Sequence, residues 1–466
     1  MSSPTADATT PTGEPTTPAP PSTRRERVGW YFYDWANSAF STTVIAVFLS
    51  PYLTAVAKAA ANCPTVDDAV VCGEERLQLA GLAFRPGSLW SFLVALSVIL
   101  QVLVLPITGA LTDRTRHRRR LLAVFAYTGA FATIGFFFVT GTNWLLGSVL
   151  FVIANVSFGA SVVVYNSFLP RLAGPDDRDK VSSIGWALGY LGGGLLLVLN
   201  LVVYTAFPDA QGLVVRISLA SAGVWWAAFT SLPLARLRDP EPHEVVPATG
   251  SVLTAGFKQL GSTLKGMRAF PLTLVFLVVF LIYNDGVQTV IAVTSQYATD
   301  YLGLAQDTLI LTILIVQFTA FGGALLLGRI ARAIGAWKTV LLSLVLWIAV
   351  VGGAYFLPPG NALIFMAMGM ALGIVLGGTQ ALSRSLFSQM IPDGKEGEYF
   401  GFYEISDKGT SWLGPLVFGL SFEATGDYQI AIISITSFFI IGFVALLFVP
   451  IRKAIVAAGN TPPRLL

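Results

Sequence analysis

Residues 88–111 read SLWSFLVALSVILQVLVLPITGAL, twenty-four positions without one Asp, Glu, Lys or Arg. A helix rises about 1.5 Å per residue, so this run is long enough to cross a hydrocarbon core of about 30 Å. Similar runs recur along the chain near 28–57, 121–140, 144–169, 181–206, 213–235, 271–301, 307–328, 338–357, 361–391, 398–422 and 427–450. With 88–111 they make twelve spans, numbered 1 to 12 in chain order. The composition agrees: of 466 residues 54% are hydrophobic and 12% charged, where a soluble domain carries about 25% charge. The mean hydropathy is +0.70. An ordinary soluble enzyme is excluded, and the expected fold class is an all-α integral membrane protein of twelve transmembrane helices.

Six spans stand on either side of a charged, proline-containing stretch, so the expected division is a tail (1–27), a first six-helix half (28–236), a linker (237–270), a second half (271–451) and a tail (452–466). An internal repeat supports two pseudo-symmetric halves. At an offset of 222 residues Leu169-Pro170 falls on Ile391-Pro392, and Tyr190-Leu191-Gly192 on Trp412-Leu413-Gly414. Across the linker Tyr33-Asp34 of span 1 falls against Asn284-Asp285 of span 7. Parallel six-helix repeats are a transporter plan, with the site at the interface of the halves.

Positively charged loops are retained on the cytoplasmic side. With the N-terminus inside, 23 of the 29 Lys and Arg lie in the inner segments, and the outer loops hold only Lys58, Arg76 and Arg85. Both termini are therefore expected in the cytoplasm of a multi-pass cell-membrane protein. The net charge of +3 is spread over these loops, which gives no nucleic-acid footprint. Residues 1–23 are almost all Ser, Thr, Pro, Ala and Gly, the composition of a disordered tail. In the linker Leu253, Phe257, Leu260 and Leu264 recur at helical spacing opposite Lys258, Lys265 and Arg268, predicting an amphipathic helix on the inner membrane face. Cys63 and Cys72 share the one long outer loop, where a disulfide is the simplest reading.

Ionisable side chains in hydrocarbon are costly and turn toward a cavity or a partner. They mark span 1 (Asp34), span 7 (Asp285), span 10 (Arg384) and span 11 (Glu404, Asp407, Lys408). Each has a polar stripe at helical spacing: Asp34, Asn37, Ser38 and Ser41 among aromatic Trp30, Tyr31, Tyr33 and Trp35; Asp285, Gln288 and Thr289; Gln380, Ser383 and Arg384; Glu404, Asp407, Lys408 and Ser411. Glu404 and Lys408, at i and i+4, suit a local ion pair. Asp34 and Asp285 have no such partner on their own helices. The stripes define either a structural charge network across the bundle or a solute and proton site.

The end of span 2 reads Gly109-Ala110-Leu111-Thr112-Asp113-Arg114, followed by Arg116, Arg118, Arg119 and Arg120. It resembles the loop between helices two and three of the major facilitator superfamily, with Arg116 and His117 where that family has Gly and Arg. The resemblance implies a conformational latch at Gly109, Asp113, Arg114 and Arg118. Tyr33-Asp34-Trp35-Ala36-Asn37-Ser38-Ala39 resembles the first-helix signature of one branch, the fungal autophagy-related vacuolar amino-acid effluxers and their bacterial relatives. Ser383-Arg384-Ser385-Leu386-Phe387, Ile391-Pro392, and Phe400-Gly401 through Gly414-Pro415 resemble its tenth and eleventh helices.

That resemblance implies a monomeric secondary transporter, without cofactor, moving a small organic solute, amino acids among the candidates, by alternating access. No G-x-x-x-x-G-K-[ST] phosphate loop occurs, so a gradient is the expected energy source, with protons the expected coupling ion. Asp34 or Asp285 is then the expected proton carrier, and Arg384 or Lys408 the anchor for an anionic or zwitterionic solute. Asn37, Ser38 and Gln288 would line the same site, with the aromatic residues of span 1, Trp30, Tyr31, Tyr33 and Trp35, flanking the solute's apolar part. An enzyme is disfavoured: the only acidic cluster, Asp176-Asp177-Arg178-Asp179, has no second cluster to hold a metal with, and His117 and His243 lie in loops. A sensor or a lipid scramblase on the same frame is the alternative reading.

Overall fold

The computed structural model describes residues 22–66, 69–70, 72, 74–79, 81–239, 265–408 and 413–466. Among them eleven helices are long and apolar enough to span a bilayer: Arg24–Ala60, Pro86–Arg114, Arg118–Phe138, Trp144–Leu172, Arg178–Ala206, Pro208–Arg236, Pro271–Thr299, Asp307–Ile334, Ala336–Ala354, Ala362–Gln389 and Tyr428–Phe448. Span 11 is carried by two helices, Glu396–Lys408 and Leu413–Thr425, on either side of residues 409–412. Both ends of the bundle therefore emerge on one side, the terminal face. The interfacial helix expected around Leu253, Phe257, Leu260 and Leu264 lies outside the described residues, as do Ser411 and residues 1–21.

Local chemistry sets the helix boundaries. Span 1 begins with a capping box in which Thr23 accepts from the Glu26 amide while the Glu26 carboxylate accepts from the Thr23 amide, a motif worth about 1 kcal/mol. Asn361 caps span 10 and Asp427 caps span 12 through the same side-chain-to-amide bond. Spans 1 and 7 each widen into a π-helical stretch after Asp34 and Asp285, at Phe40–Phe48, which holds Ser41, and at Tyr297–Tyr301. The all-helical expectation needs one small correction. The loop after span 1 folds two short antiparallel hairpins, Thr65–Val66 with Ala69–Val70 and Leu77–Leu79 with Leu82–Phe84. Cys63 and Cys72 are joined there by a disulfide, their Cα atoms 4.8 Å apart. Strand pairing satisfies the backbone of a loop too long to remain extended over the surface.

Two large hydrophobic cores form, one from residues between Trp30 and Leu237 and one from residues between Met267 and Ile455, and a small third cluster, Leu105, Ala160 and Val163, packs against Ile405 of span 11 across the halves. The helix neighbours repeat between halves: spans 2 and 4, 3 and 4, and 3 and 6 pack together, and so do spans 8 and 10, 9 and 10, and 9 and 12. The halves meet through span 5 against span 8 and span 2 against span 11. Phe92, Ile99, Phe131, Val202 and Leu420 point outward and stay exposed. Within a bilayer their partners are acyl chains, so apolar burial does little to hold helices together and close packing at small residues does more.

Gly323 of span 8 shows that packing. A Cβ there would overlap the Ile374 carbonyl of span 10, whereas a Cβ at Gly352 meets nothing. Gly323→Val is expected to destabilise by about 1–3 kcal/mol through overpacking against backbone, and Gly352→Val to leave stability nearly unchanged. Thermal unfolding of the two purified variants in one detergent checks this.

Candidate functional site

The centre of the bundle is organised by one cation. Arg384, in the last third of span 10 on the side of the terminal face, is 2% exposed. Its Nη1 and Nη2 donate to Asp34 Oδ2 of span 1 at 3.3 and 3.2 Å. Nε donates to Ser182 Oγ and Nη2 to the Ser182 carbonyl of span 5, each at 3.0 Å. Nη1 also donates to Asn166 Oδ1 of span 4 at 3.2 Å. The guanidinium lies over Trp30, Trp186 and Tyr165, 4.9, 5.3 and 5.7 Å from the ring centroids, where the ring quadrupoles favour a cation. Asp34 accepts further from Tyr165 Oη at 2.7 Å.

The glycines of span 5 make this closeness attainable. A Cβ on Gly185 would sit 2.7 Å from Asp34 Oδ2 and 3.1 Å from Arg384 Nη2, and one on Gly189 would sit 2.7 Å from Ser38 Oγ. Two charges removed from water hold only when paired and hydrogen-bonded. Removing one member of such a pair costs about 3–5 kcal/mol, because the other charge stays buried.

The remaining polar stripes surround this pair. Glu404 of span 11 accepts from Asn166 Nδ2 at 2.9 Å. The Asp407 carbonyl accepts from Asn284 Nδ2 and Gln288 Nε2 of span 7 at 3.0 and 3.4 Å, and Asn284 Oδ1 accepts from Gln380 of span 10 at 3.0 Å. Asp285 is 1% exposed, and neither of its carboxylate oxygens is hydrogen-bonded among the described residues. It lies against Gly414, the second residue of the outer helix of span 11, where a Cβ would sit 3.1 Å from Asp285 Oδ2. Asn37 is buried and Ser38 packs on span 5. The Lys408 side chain, and with it the expected Glu404–Lys408 pair, lies outside the described residues.

Three expectations change. Asp34 and Arg384, read as a separate proton group and a separate anion anchor, form one ion pair. Trp35 does not flank that pair; it stacks on Trp225 and meets Phe229 edge-on, both in span 6, because 100° of helical turn per residue carries it off the Asp34 stripe. Tyr33 is fully buried against Tyr165; of the span 1 aromatics Trp30 lies against Arg384, joined there by Trp186 of span 5. Tyr165, Asn166, Ser182 and Trp186 were not legible as site residues. A search for charge in apolar spans passes over hydroxyls, amides and indoles.

The terminal face is sealed between the halves. Asp113 accepts from the Gly397 and Glu398 amides at 2.7 and 2.8 Å, capping the N-terminus of the Glu396–Lys408 helix. Arg118 Nη2 bridges Asp113 and Glu396 at 3.3 and 3.4 Å. Gly109 and Gly397 let spans 2 and 11 touch backbone to backbone. Arg114, expected in the same latch, is exposed, and the contacts to Asp113 run through Arg118. A second contact joins spans 5 and 10. Arg178 donates to the Ser388 carbonyl at 2.8 Å and to Gln389 Oε1 at 3.3 Å, and Asp179 accepts from Ser385. Ser183 is pressed between these spans and Gly328 of span 8, with no hydrogen bond to its Oγ among the described residues.

A family model described as "Vacuole effluxer Atg22 like" matches residues 22–459. An MFS-type transporter of Bacillus subtilis, YxiO, is 28% identical over 438 residues, covering 91% of this chain and 95% of that protein. Autophagy-related protein 22-1 of Penicillium rubens is 26% identical over 524 residues, covering 89% and 88%. Among solved structures, the proton:xylose symporter XylE bound to 6-bromo-6-deoxy-D-glucose is similar with a TM-score of 0.67 at 14% identity, covering 91% of this chain and 95% of that one. A bacterial homologue of the iron transporter ferroportin in an outward-facing state gives 0.65 at 13%, covering 91% and 99%. These two share the twelve-helix major facilitator fold.

The latch geometry generates a measurable expectation. Hydrogen bonds to a buried charged group are worth about 1.5–3 kcal/mol each, so Asp113→Ala is expected to raise opening of the terminal face roughly tenfold or more. A cysteine at position 183 reports it: the chain's two cysteines are bonded to each other, and the maleimide labelling rate of Ser183→Cys then reads opening alone.

Proposed function

The chain belongs to the Atg22-like vacuole effluxer family, and we propose that, as a secondary transporter of the major facilitator superfamily, it moves a small zwitterionic solute of the amino-acid class in step with a proton. The observation that carries this reading is the Asp34–Arg384 pair. It joins the two halves in the part of the bundle nearer the terminal face, within two turns of the Arg178 and Asp179 contacts. An ion pair in that position is a switch. While Asp34 is ionised it holds Arg384, and the halves stay together. A proton on Asp34 removes the negative partner and frees the guanidinium for a solute carboxylate, which it can grip through two N–H groups. Glu404 and Asp407, about one helical turn apart on span 11, offer carboxylates to a solute ammonium. The halves then rock about the loaded site, and the seal at Asp113 and Arg178 opens. Asp285, in the second half at the repeat position of Asp34, is a second proton-exchanging group.

The terminal face is cytoplasmic in this reading. The distribution of Lys and Arg supports it. So does the disulfide on the opposite side, since disulfides persist outside the reducing cytosol. The membrane is the cell membrane, and since one chain holds the whole path, the working unit is a monomer.

Purified protein in liposomes containing a pH-sensitive dye, challenged with pools of amino acids under an imposed pH gradient, tests the proposal. Proton flux evoked by one pool is expected, with Asp34→Asn losing gradient-driven uptake per reconstituted molecule. Asp285→Asn is expected to lower the same flux. Undiminished flux in both variants would overturn the proton roles, and silence from every pool would overturn the solute class.

A further inference from the structure

Resting on that reading, one residue of span 4 deepens it. A carboxamide has an acceptor end and a donor end, and Asn166 uses both on charged partners across the interface between the halves. Its Oδ1 accepts from Arg384 Nη1 at 3.2 Å, and its Nδ2 donates to Glu404 Oε1 at 2.9 Å. The partners dictate the orientation, because the reverse would set N–H against guanidinium and oxygen against carboxylate. Asn166 is 1% exposed, so an end left without its partner would be a buried unpaired group.

The arrangement has the polarity of a zwitterion. Arg384 and Glu404 both belong to the second half, and a short group with its negative end on Arg384 and its positive end on Glu404 fits between them. In the structure that group is supplied by the first half, as a neutral amide. An α-amino acid presents the same order of ends with full charges, and charge-assisted hydrogen bonds are roughly twice as strong as neutral ones. The exchange also changes which half is held. Asn166 ties span 4 to spans 10 and 11, whereas a solute in its place satisfies spans 10 and 11 alone.

We propose that Asn166 is a positioning and specificity-determining residue that stands in for the solute: it bridges Arg384 and Glu404 in the empty protein, and a zwitterion opens the terminal face by taking its place. Two consequences follow from the chemistry. A molecule with only one of the two charges displaces one end of the amide and leaves the other bond across the halves intact. Removing the amide mimics the loaded state at this contact without any solute.

The labelling rate of Ser183→Cys in lipid nanodiscs tests this with three probes: L-leucine, the amine lacking its carboxylate (3-methylbutylamine), and the acid lacking its amine (4-methylpentanoate). Leucine is expected to speed labelling about fivefold and each half-molecule less than twofold. Asn166→Ala is expected to label about fivefold faster without any probe, with leucine adding less than twofold. Asn166→Gln, which keeps a carboxamide, is expected to restore slow basal labelling and the response to leucine. Slow labelling of the Asn166→Ala protein would overturn the bridge whatever leucine does. Equally fast labelling of the Gln and Ala variants would assign the effect to packing and overturn it too, as would full opening by either half-molecule. Fast labelling of Asn166→Ala beside a parent indifferent to leucine would support the bridge and remove the amino-acid solute instead.

Discussion

The buried ion pair between Asp34 and Arg384 is the constraint around which the rest of the centre is arranged. Neither charge is tolerable in an apolar bundle alone, so each must reach the other across the interface of the halves. That requirement explains the glycines of span 5, which leave room for the carboxylate. It explains the ring of Trp30, Tyr165 and Trp186, which accept the guanidinium on their faces. It also explains Ser182 and Asn166, which take the N–H groups that Asp34 cannot. The pair is expensive to break and simple to switch, since a proton or a competing carboxylate removes the reason for it.

Close packing builds each half internally, and the halves meet through spans 5 on 8 and 2 on 11, with polar contacts crossing that interface. The two large hydrophobic cores are built within the halves. The bonds between halves run through Asp113 at a helix N-terminus, Arg178 on span 10 carbonyls, Arg384 on Asp34 and Asn166 on Glu404. Bonds of this kind are directional and can be exchanged one for another, with solute, proton or water replacing a protein partner. Such exchange suits a protein whose halves must move as bodies.

Much of this was legible in the chain. The apolar runs gave the number and order of the spans, and the repeat of Tyr33-Asp34 at Asn284-Asp285 related the halves. Charges in otherwise apolar helices singled out Asp34, Asp285, Arg384 and span 11. The resemblance of Gly109 through Arg114 to the major facilitator loop implied a contact whose other side, the Gly397 and Glu398 amides, has no side-chain signature at all. Trp35 was misplaced because an aromatic residue one position from a polar stripe reads as its neighbour, although the helix turns it onto span 6. Tyr165 and Asn166 were missed because uncharged polar residues in spans are common and most bond to their own backbone.

By itself the sequence determined what is local or cumulative: hydropathy over twenty residues, the caps at Thr23 and Asp427, the balance of basic loops, and which helices carry charge. Each depends on residues close in the chain, where spacing fixes geometry. Tertiary structure alone decided which charge meets which. Asp34 and Arg384 are separated by 350 positions, and Asn166 and Glu404 by 238. No periodicity within a helix encodes the pairing of two helices so far apart. That pairing follows from the packing of spans 1, 4, 5, 10 and 11 around one another, where the cost of an unpaired charge in an apolar interior selects the single arrangement that neutralises it.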